Sequence, residues 1–311
     1  MSGETLQILV DRAQLFAKIR QFFSQNAVLE VDVPVLGAST VTDPQLASLA
    51  LNFGGRDYFL QTSPEFFMKR LLAQGVGAIY SLGRAFRKDE VGRKHNPEFT
   101  MLEWYRPGFD EHRLIDEVIA LIQFVCPDIG VHKVSYQSLF EQYIGLNPHT
   151  ASIAELAEAA KLGLGVAWPH EPRNTWLDVL FTHLIEPHLN DRLTAVFDYP
   201  SSQCALAKLG KNEHGSDVAR RFEVYWRGCE LANGYCELID PDIQRQRFEY
   251  DNQARAELGL PAIAIDEKFL AALHLGLPEC SGVALGVDRL LMCILNASDI
   301  REVMPFVFDA L

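Results

Sequence analysis

One short stretch of this chain offers an aromatic ring, a guanidinium, two carboxylates and a phenol. The groups belong to Arg87, Asp89, Phe99, Glu103 and Tyr105. A structural hairpin usually points apolar side chains inward and scattered charges outward. Five convergent polar or aromatic groups suit instead a ligand that combines a flat ring, a phosphate and an ammonium group. A solvated surface hairpin is the alternative interpretation of the same composition.

Two β-strands and a polar loop would bring these groups together. Alternation predicts strands at about 78–89 and 98–106, joined by a loop that contains Gly92 and the Asn96-Pro97 pair. Successive side chains of a strand point to opposite faces. One face of the second strand therefore receives Phe99, Met101, Glu103 and Tyr105, and on the first strand Arg87 shares a face with Asp89.

Acidic residues recur in RGCELANGYCEL, residues 227–238. Strict alternation puts Asn233 and Glu237 on one face of a strand and Glu230 on the other, unless a bulge intervenes near Gly228 or Gly234. Mg²⁺ takes carboxylate and phosphate oxygens, and a substrate ammonium favours acidic partners. An exposed strand edge protected by charges is the alternative.

A third candidate region is CSGVALGVDRLLMCILN, residues 280–296. The pattern predicts a glycine-rich strand that runs into a helix opened by Asp288, with Arg289 in its first turn. Gly286 leaves room for a planar base, and a helix N-terminus beside a guanidinium is a natural site for triphosphate charge. Alternatively, Asp288 simply caps the helix.

A fourth region, residues 57–75, predicts a helix with a polar start. Ser63 can cap this helix, with Pro64 at its first position, and Gly75 can end it. Glu65 falls in the first turn, where the helix dipole favours a carboxylate. That placement is by itself a sufficient structural reason for an acid there.

The rest of the chain supplies ordinary amphipathic elements. A strand at VLEVDVPVL is interrupted by Pro34 and is therefore an edge or interface element. Strands are also predicted at 193–199 and 218–226. Helices are predicted at 11–25, 112–125, 152–163, 174–189, 240–258 and 266–276.

The length and composition of the chain limit the classes of protein to which it can belong. The chain has 311 residues, of which 48% are hydrophobic, and can bury a large core. Its formal net charge of −13 provides no general field for a polyanion. The six cysteines form no C-x-x-C pair, and no segment approaches the length of a membrane span. A cytoplasmic protein with reduced thiols, not associated with a membrane, is therefore expected.

The hairpin, and HNPEFTMLEWY within it, resembles motif 2 of class II aminoacyl-tRNA synthetases, in particular the lysyl branch. The helix at 11–25 and the strand after it resemble motif 1, the dimer interface of that family, and SGVALGVDR resembles motif 3. The resemblance extends from about Asp11 to the C-terminus. It implies one α+β catalytic domain over 1–311, an antiparallel β-sheet flanked by helices, with a helical insertion at roughly 110–190. It also implies a homodimer.

Carried over residue by residue, the resemblance implies an ATP site and an amino-acid site. Arg87 would hold the α-phosphate and Arg289 the γ-phosphate, and both are catalytic candidates. The other implied ATP contacts are Lys88, Asp89, Asn96, Phe99, Glu230, Leu231 and Gly286, with Glu230 also on Mg²⁺. The implied amino-acid contacts are Ser63, Glu65, Glu103, Tyr105, Asn233, Glu237 and Ala284.

Four positions depart from the lysyl-tRNA synthetase pattern. Lys88-Asp89 stands where the family has Asn-Glu, so the shorter Asp89 must reach the same adenine edge, or Glu90 or a water must substitute. Ser63 and Ala284 stand where lysyl-tRNA synthetases usually carry alanine and glycine. These two positions are candidates for the choice of amino acid.

The resemblance is most specific to a stand-alone branch of the family. Lysyl-tRNA synthetases carry an anticodon-binding domain before motif 1, where this chain has only about ten residues. In the stand-alone branch, β-lysine is activated with ATP and transferred to a lysine side chain of elongation factor P. The implied partners are elongation factor P, β-lysine and ATP, with no stable tRNA binding.

Two other interpretations stay open. An enzyme of this type could make lysyl-adenylate for tRNA or for a small metabolite. A non-catalytic paralogue could bind a ligand or a partner, although the intact Arg87, Glu237 and Arg289 argue against it.

Overall fold

The structure is a computed structural model that describes residues 3–310. The helices are α1 Gly3–Gln25, α2 Glu65–Leu72, α3 Glu111–Val125, α4 Tyr136–Tyr143, α5 Ile153–Leu164, α6 Arg173–Leu180, α7 Pro241–Glu257, α8 Glu267–Gly276 and α9 Val287–Leu295. The strands are β1 Leu29–Glu30, β2 Leu36–Gly37, β3 Ala50–Phe53, β4 Arg56–Leu60, β5 Ile79–Phe86, β6 Glu98–Pro107, β7 Val131–Ser135, β8 Leu193–Pro200, β9 Leu209–Lys211, β10 Asp217–Trp226, β11 Cys229–Cys236 and β12 Cys280–Gly286. These elements confirm the predicted α+β class.

The chain divides into two compact units. The first unit contains Met1–Phe109 and Leu238–Leu311, and the second contains Asp110–Glu237. The second unit includes the helices predicted as an insertion at roughly 110–190, and it also contains five strands. In the part of the chain that the structure describes, no helix has the length and apolarity to cross a membrane.

The first unit is built on the strand order β1-β5-β6-β12, with β1 parallel to β5 and the other pairs antiparallel. One face of this sheet packs on α1. Phe23 of α1 stacks on Tyr80 with ring centroids 4.3 Å apart and meets Trp104 edge-on at 5.3 Å. Four of the five apolar residues that predict a buried stripe on this helix, Leu15, Ile19, Phe22 and Phe23, are buried, whereas the fifth, Phe16, is only partly buried.

A second core of the first unit joins α2, α7 and α8 to the sheet. Phe66 stacks on Phe269 at 4.5 Å, and Phe248 completes an aromatic cluster with them. Tyr105 is a member of this core and only 3% exposed. Helices α2, α7 and α8 are therefore held against the strands by contacts between large apolar side chains.

The second unit has the strand order β11-β10-β8-β7, with β9 on β10 and β7 parallel to β8. Helices α4, α5 and α6 bury their apolar residues against β8 and β10. Tyr136, Phe181, Tyr199 and Tyr225 form an aromatic group in this core.

The predicted hairpin is confirmed as β5 and β6, but four local expectations were wrong. VLEVDVPVL is not one strand: Val31 N donates to Tyr80 O, and Gln61 N donates to Val35 O. The chain thus leaves one sheet and joins the small sheet β2-β4-β3, with Pro34, which has no N–H, between the two. Helix α1 begins at Gly3, well before the predicted residue 11.

The other two corrections concern the N-terminus of α2 and the C-terminus of the helix predicted at 174–189. Pro64 itself occupies the N-cap of α2, and no side chain caps it, so Ser63 is not the cap. Gly75 lies beyond the end of α2, in a left-handed turn whose N–H donates to Leu72 O. The helix predicted to reach residue 189 is α-helical only to Leu180 and continues as a π turn, Phe181–Ile185, before Pro187.

Candidate active site

One face of β5, β6 and β12 is lined with small residues. Glu103 lies opposite Ser81 on one side and Ala284 on the other, and Met101 lies between Gly83 and Gly286. The opposite face carries Leu102 and Trp104, which are fully buried. Small flanking side chains leave space above Glu103 and Met101, which is the space that a ligand lying on the sheet requires.

The two polar side chains that β6 contributes to this face, Glu103 and Tyr105, act as a pair. Tyr105 donates its hydroxyl to Glu103 Oε1 at 2.7 Å, and both side chains are 3% exposed. The register confirms the predicted sharing of a face by Phe99, Met101, Glu103 and Tyr105. A buried carboxylate oriented by a phenol can receive an ammonium group with little further ordering.

Arg87 lies directly after β5 and over the ring of Phe99, with its guanidinium carbon 5.2 Å from the ring centroid. Its terminal nitrogen donates to Glu90 Oε1 at 3.0 Å. Its Nε is buried and has no hydrogen-bond partner among residues 3–310. A buried donor of this kind costs free energy, which an anionic ligand would recover.

Arg289 lies in the first turn of α9, as predicted. Its Nε donates to Lys94 O at 3.2 Å, and a terminal nitrogen contacts His95 Nε2 at 2.5 Å. Burial, and then the charge of Arg289, hold the pKa of His95 below its ordinary value. The imidazole is therefore neutral near pH 7 and can accept the guanidinium hydrogen, since arginine has no acceptor.

The loop between β5 and β6 thus touches both arginines. Glu90 is bonded to Arg87, and its other oxygen is 3.9 Å from His95 Nε2. Lys88 and Asp89 are exposed on the same loop. Glu90 is therefore already engaged, and the adenine contact predicted for Asp89 stays a prediction.

Asn96 has a structural task in addition to any nucleotide contact. Its Nδ2 donates to Glu98 O at 2.6 Å, and its Oδ1 accepts from Phe308 N at 2.9 Å. The side chain is buried and ties the loop to the C-terminal segment.

Glu65 begins α2 and bonds to Lys69, one turn later, at 2.6 Å. The Lys69 side chain is fully buried, and that of Glu65 is 15% exposed. The lysine therefore holds the carboxylate in one position at the start of the helix. Ser63 lies two residues earlier and is partly buried.

Asp288 does not cap α9, because Gly286 is the N-cap. Its carboxylate is buried and accepts from Arg12 Nη1 at 2.5 Å and from Thr100 N at 2.6 Å. Arg12 also donates to Thr100 Oγ1 and Val303 O. Asp288, which directly precedes Arg289 in sequence, thereby joins α9 to α1 and to β6.

In the second unit, a β-bulge corrects the predicted faces of β11. Val224 pairs with Ala232, whereas the next residue, Tyr225, pairs with Glu230, so Leu231 is the extra residue. Cross-strand partners share a face. Glu230 opposite Tyr225 and Asn233 opposite Glu223 therefore lie on the same side of the sheet, and the bulge is at Leu231 rather than at Gly228 or Gly234.

The remaining predicted residues of this segment are largely buried. Leu231 is 2% exposed, so only its backbone at the bulge is available to a ligand. Glu237 is also 2% exposed and follows β11, where it forms a bridge with Ala207. Asn233 and Glu230 are half-buried.

No group of three or more histidine, cysteine, aspartate or glutamate side chains within residues 3–310 could hold a metal. A single carboxylate such as Glu230 nevertheless suits Mg²⁺, which proteins commonly bind through one or two carboxylates together with substrate phosphates. The carboxylate of Glu230 therefore suits a Mg²⁺ ion that binds together with a nucleotide.

Several residues that support these groups were not predicted from the sequence. They are Ser81, His95, Lys69, and the pair Arg221 and Glu223, which bond to Asn233. Glu90 was considered only as a substitute for Asp89, not as a partner of Arg87. His95 lies in HNPEFTMLEWY and Lys69 in the segment 57–75, so their proximity to the predicted site residues was a usable signal. Arg221 and Glu223 gave no signal, because their contacts depend on the register of β10 and β11.

The fold and these motifs define a class of protein. The chain matches the family model of class II tRNA synthetases (D, K and N) over residues 1–310, and it belongs to that family. Among curated proteins it is 49% identical to the elongation factor P–(R)-β-lysine ligase of Photorhabdus laumondii over 307 residues, 96% of this chain and 94% of the relative. It is 47% identical to the ligase of the same name from Avibacterium paragallinarum (98% and 96% covered) and 48% identical to that of Klebsiella pneumoniae (97% and 95% covered).

Proposed function

We propose that this protein is an ATP-dependent ligase that activates (R)-β-lysine as an adenylate and transfers it to a lysine side chain of elongation factor P. The name and the near-complete coverage of its relatives support this activity. The observation that carries the proposal is the position of Arg87, which lies over Phe99 and whose buried Nε has no hydrogen-bond partner in the described part of the chain. An arginine so placed is suited to a phosphate beside a flat base.

In the activation step, the carboxylate of the amino acid attacks the α-phosphorus and pyrophosphate leaves. Arg87 would stabilise the charge that builds on the α-phosphate oxygens, and Arg289 that on the γ-phosphate. ATP has to displace Glu90 from Arg87 and His95 from Arg289, because both arginines are engaged by these side chains. Mg²⁺ would neutralise phosphate charge, with Glu230 as its protein ligand.

The amino acid requires acidic groups for its two ammonium ions. We assign this task in the first unit to Glu65 and to Glu103 with Tyr105, and in the second unit to Glu237. Asn233, Ser63 and Ala284 would shape the rest of the pocket. Moving one amine by one carbon changes the free energy of substrate binding by about 1–3 kcal/mol. Residual use of α-lysine is therefore expected.

The same proposal includes a homodimer, a cytoplasmic location beside the translation machinery and no stable tRNA binding. A chain of net charge −13 offers little general attraction to a polyanion. Exposed apolar side chains on α1, Leu6, Leu9 and Val10, support the dimer.

Mass spectrometry of elongation factor P tests the activity. The factor is incubated with this protein, ATP, Mg²⁺ and either lysine isomer. We expect a mass gain of one lysyl residue, larger with (R)-β-lysine, and no gain with the Arg87→Ala variant. No gain with either isomer, together with efficient charging of tRNA, would instead establish the tRNA-directed alternative.

A further inference from the structure

The second unit contains a cavity of about 830 Å³. Its wall is formed by the starts of α3 and α4, by β7 and β8, and by β9 and β10 with the turn between them. Small-molecule sites have volumes of about 300–1,000 Å³. The described residues that line the cavity include none that were assigned above to ATP or to the amino acid. The cavity is therefore not part of the site proposed for the reaction.

Asp198 reaches the wall of this cavity at a β-bulge. Two residues of β10, Arg220 and Arg221, lie opposite Asp198, because the pairing register of β8 and β10 shifts there. The φ of Asp198 is 58°, in the left-handed region, which aspartate and asparagine adopt more readily than most residues with a Cβ. A bulge can redirect a side chain, and Asp198 is one of three acidic residues in the cavity wall.

Glu111, the first residue of α3, is the most buried of the three acids. Its side chain is only 3% exposed. Its Oε1 accepts from Arg220 Nε at 2.7 Å, whereas its Oε2 is buried and has no hydrogen-bond partner among residues 3–310. A buried carboxylate oxygen without a partner costs free energy, which a hydrogen-bond donor bound in the cavity would recover.

The third acid is Glu213, in the turn between β9 and β10, and the three carboxylates act on one another. Burial raises the pKa of the Asp198 carboxyl, and the charges of Glu111 and Glu213 add to the rise. His112 and Arg220 oppose it. Repulsion among three carboxylates disfavours their joint ionisation, and a cation in the cavity would relieve it.

The basic side chains of the wall are mostly engaged. In the described part of the chain, three of the four lysine and arginine side chains that line the cavity have a carboxylate partner. Lys211 bonds to Asp217 at 2.9 Å, Lys133 bonds to Asp116, and Arg220 is engaged as described above. The cavity therefore lacks hydrogen-bond donors for its acids rather than acceptors for its bases.

We propose that this cavity binds a flexible organic cation with two or more ammonium groups, one paired with Asp198 and Glu111 and another with Glu213. An ammonium group has only donors, which match carboxylate oxygens that lack them. A flexible chain suits acids that are spread over α3, β8 and the β9–β10 turn. This site goes beyond the proposed ligase activity and does not depend on it. A free polyamine and a segment with two lysines present the same chemistry, and the experiment separates them.

Isothermal titration calorimetry of the full chain with spermidine tests the site. We expect one saturable site per chain, and Asp198→Asn should weaken binding about tenfold or more, because a charge-assisted hydrogen bond is lost. Asparagine tolerates the left-handed conformation, so the bulge is retained. Glu213→Gln is a second variant that leaves the core untouched, because Glu213 is 87% exposed. It should weaken binding about twofold to fivefold.

A control is required because a chain of net charge −13 attracts any cation to its surface. Asp128→Asn makes the same change of charge at an exposed residue of the second unit that does not line the cavity. It should leave the affinity for spermidine within about twofold. Equal weakening by Asp128→Asn and Asp198→Asn, or no saturable binding to the wild type, would overturn the proposal.

A second titration identifies the source of the cation. An acetylated and amidated peptide with two lysines replaces spermidine, and its binding counts for the proposal only if Asp198→Asn weakens it. Tighter binding of spermidine would identify a free polyamine, and tighter binding of the peptide a protein segment. ATP–pyrophosphate exchange with (R)-β-lysine should be unchanged in Asp198→Asn. A raised KM for (R)-β-lysine in that variant would show that the cavity serves the reaction and would overturn the inference of a separate site.

Discussion

Arg87 combines three features that favour an anionic ligand. It is partly buried, and among residues 3–310 its Nε has no hydrogen-bond partner and its carboxylate contact is a loop residue, Glu90. Glu90 lies three residues away and already neutralises part of the charge of the guanidinium. If Arg87 binds phosphate as proposed, this contact holds the side chain in place before the nucleotide arrives and lowers the ordering cost of binding.

Arg87→Ala should abolish adenylate formation and leave the fold intact, because its role concerns phosphate charge rather than the core. We expect ATP–pyrophosphate exchange to fall by about a hundredfold or more. The melting temperature should stay near that of the wild type, since removal also relieves a buried unpaired donor. Exchange that persists in this variant would contradict the assigned role.

Asp178 in the second unit gives a pH-dependent prediction. Burial raises its pKa from 3.8 to about 6; Arg221 opposes the rise and Glu223 adds to it. The folded protein therefore binds this proton more tightly than the unfolded chain, and the associated stability, present below about pH 4, is lost as pH rises through 6. Asp178 is partly exposed, so solvent reduces the effect to about 1–2 kcal/mol.

Asp178→Asn should remove the loss of folding stability that accompanies deprotonation of Asp178. The asparagine oxygen can still accept from Gln203, as Asp178 now does at 2.6 Å. We expect the variant to be more stable than the wild type at pH 8 by about 1 kcal/mol and to show little advantage at pH 4.5. Urea unfolding of both proteins at the two pH values measures the difference. The same difference at both pH values would show that Asp178 does not titrate near 6.

At the scale of elements, the sequence patterns predicted most helices and the central hairpin because each depends on local periodicity. The β5–β6 hairpin, α3, α5 and the start of α9 near Arg289 follow from side chains a few residues apart. The bulge at Leu231 does not, because it exists only in the pairing of β10 with β11. Alternation along β11 alone therefore placed Glu230 on the wrong face.

Asp288 shows the same limit for a single residue. Its position at the start of α9 suggested a cap, but its partner Arg12 lies 276 residues away in sequence. No local pattern can indicate such a contact. The candidate ligand residues could be proposed from the sequence because they lie in contiguous motifs, and their roles stay predictions. A residue that holds one of these motifs in place, such as Arg12, comes from a distant part of the chain.

Asp288→Asn should therefore destabilise the first unit. Both side chains of the Arg12–Asp288 pair are at most 8% exposed, and the substitution leaves a buried cation without its counter-ion. We expect a loss of about 3 kcal/mol in the free energy of unfolding. Glu267→Gln, which breaks the exposed pair with Arg245, is the control and should have little effect. Equal effects of the two substitutions in urea unfolding would contradict the prediction.

At the scale of the whole molecule, the net charge of the chain and the exposed apolar residues of α1 affect which partners the protein can bind. A net charge of −13 is unfavourable for a stable complex with tRNA, whereas a protein acceptor requires no basic field. Function could be predicted from the sequence through the motifs. Assembly is different, because association of two copies depends on which apolar side chains stay exposed, and exposure is known only once the chain is folded.

Helix α1 has two apolar stripes. Leu15, Ile19 and Phe23 are buried within the first unit. Leu6, Leu9 and Val10, at helical spacing, remain 56%, 41% and 38% exposed. Exposed apolar residues that cluster on one helix commonly mark an interface. The proposed homodimer would remove this second stripe from water.

We therefore expect the protein to sediment with twice the mass of one chain, and Leu9→Glu/Val10→Glu to sediment as a monomer. Two carboxylates buried at an interface without partners would cost several kcal/mol of association free energy. Leu162→Glu is the control, because Leu162 is 78% exposed on α5 and lies in the second unit. Analytical ultracentrifugation at several protein concentrations measures all three. A wild-type monomer, or a dimer that survives the double substitution, would show that this stripe of α1 does not join two copies.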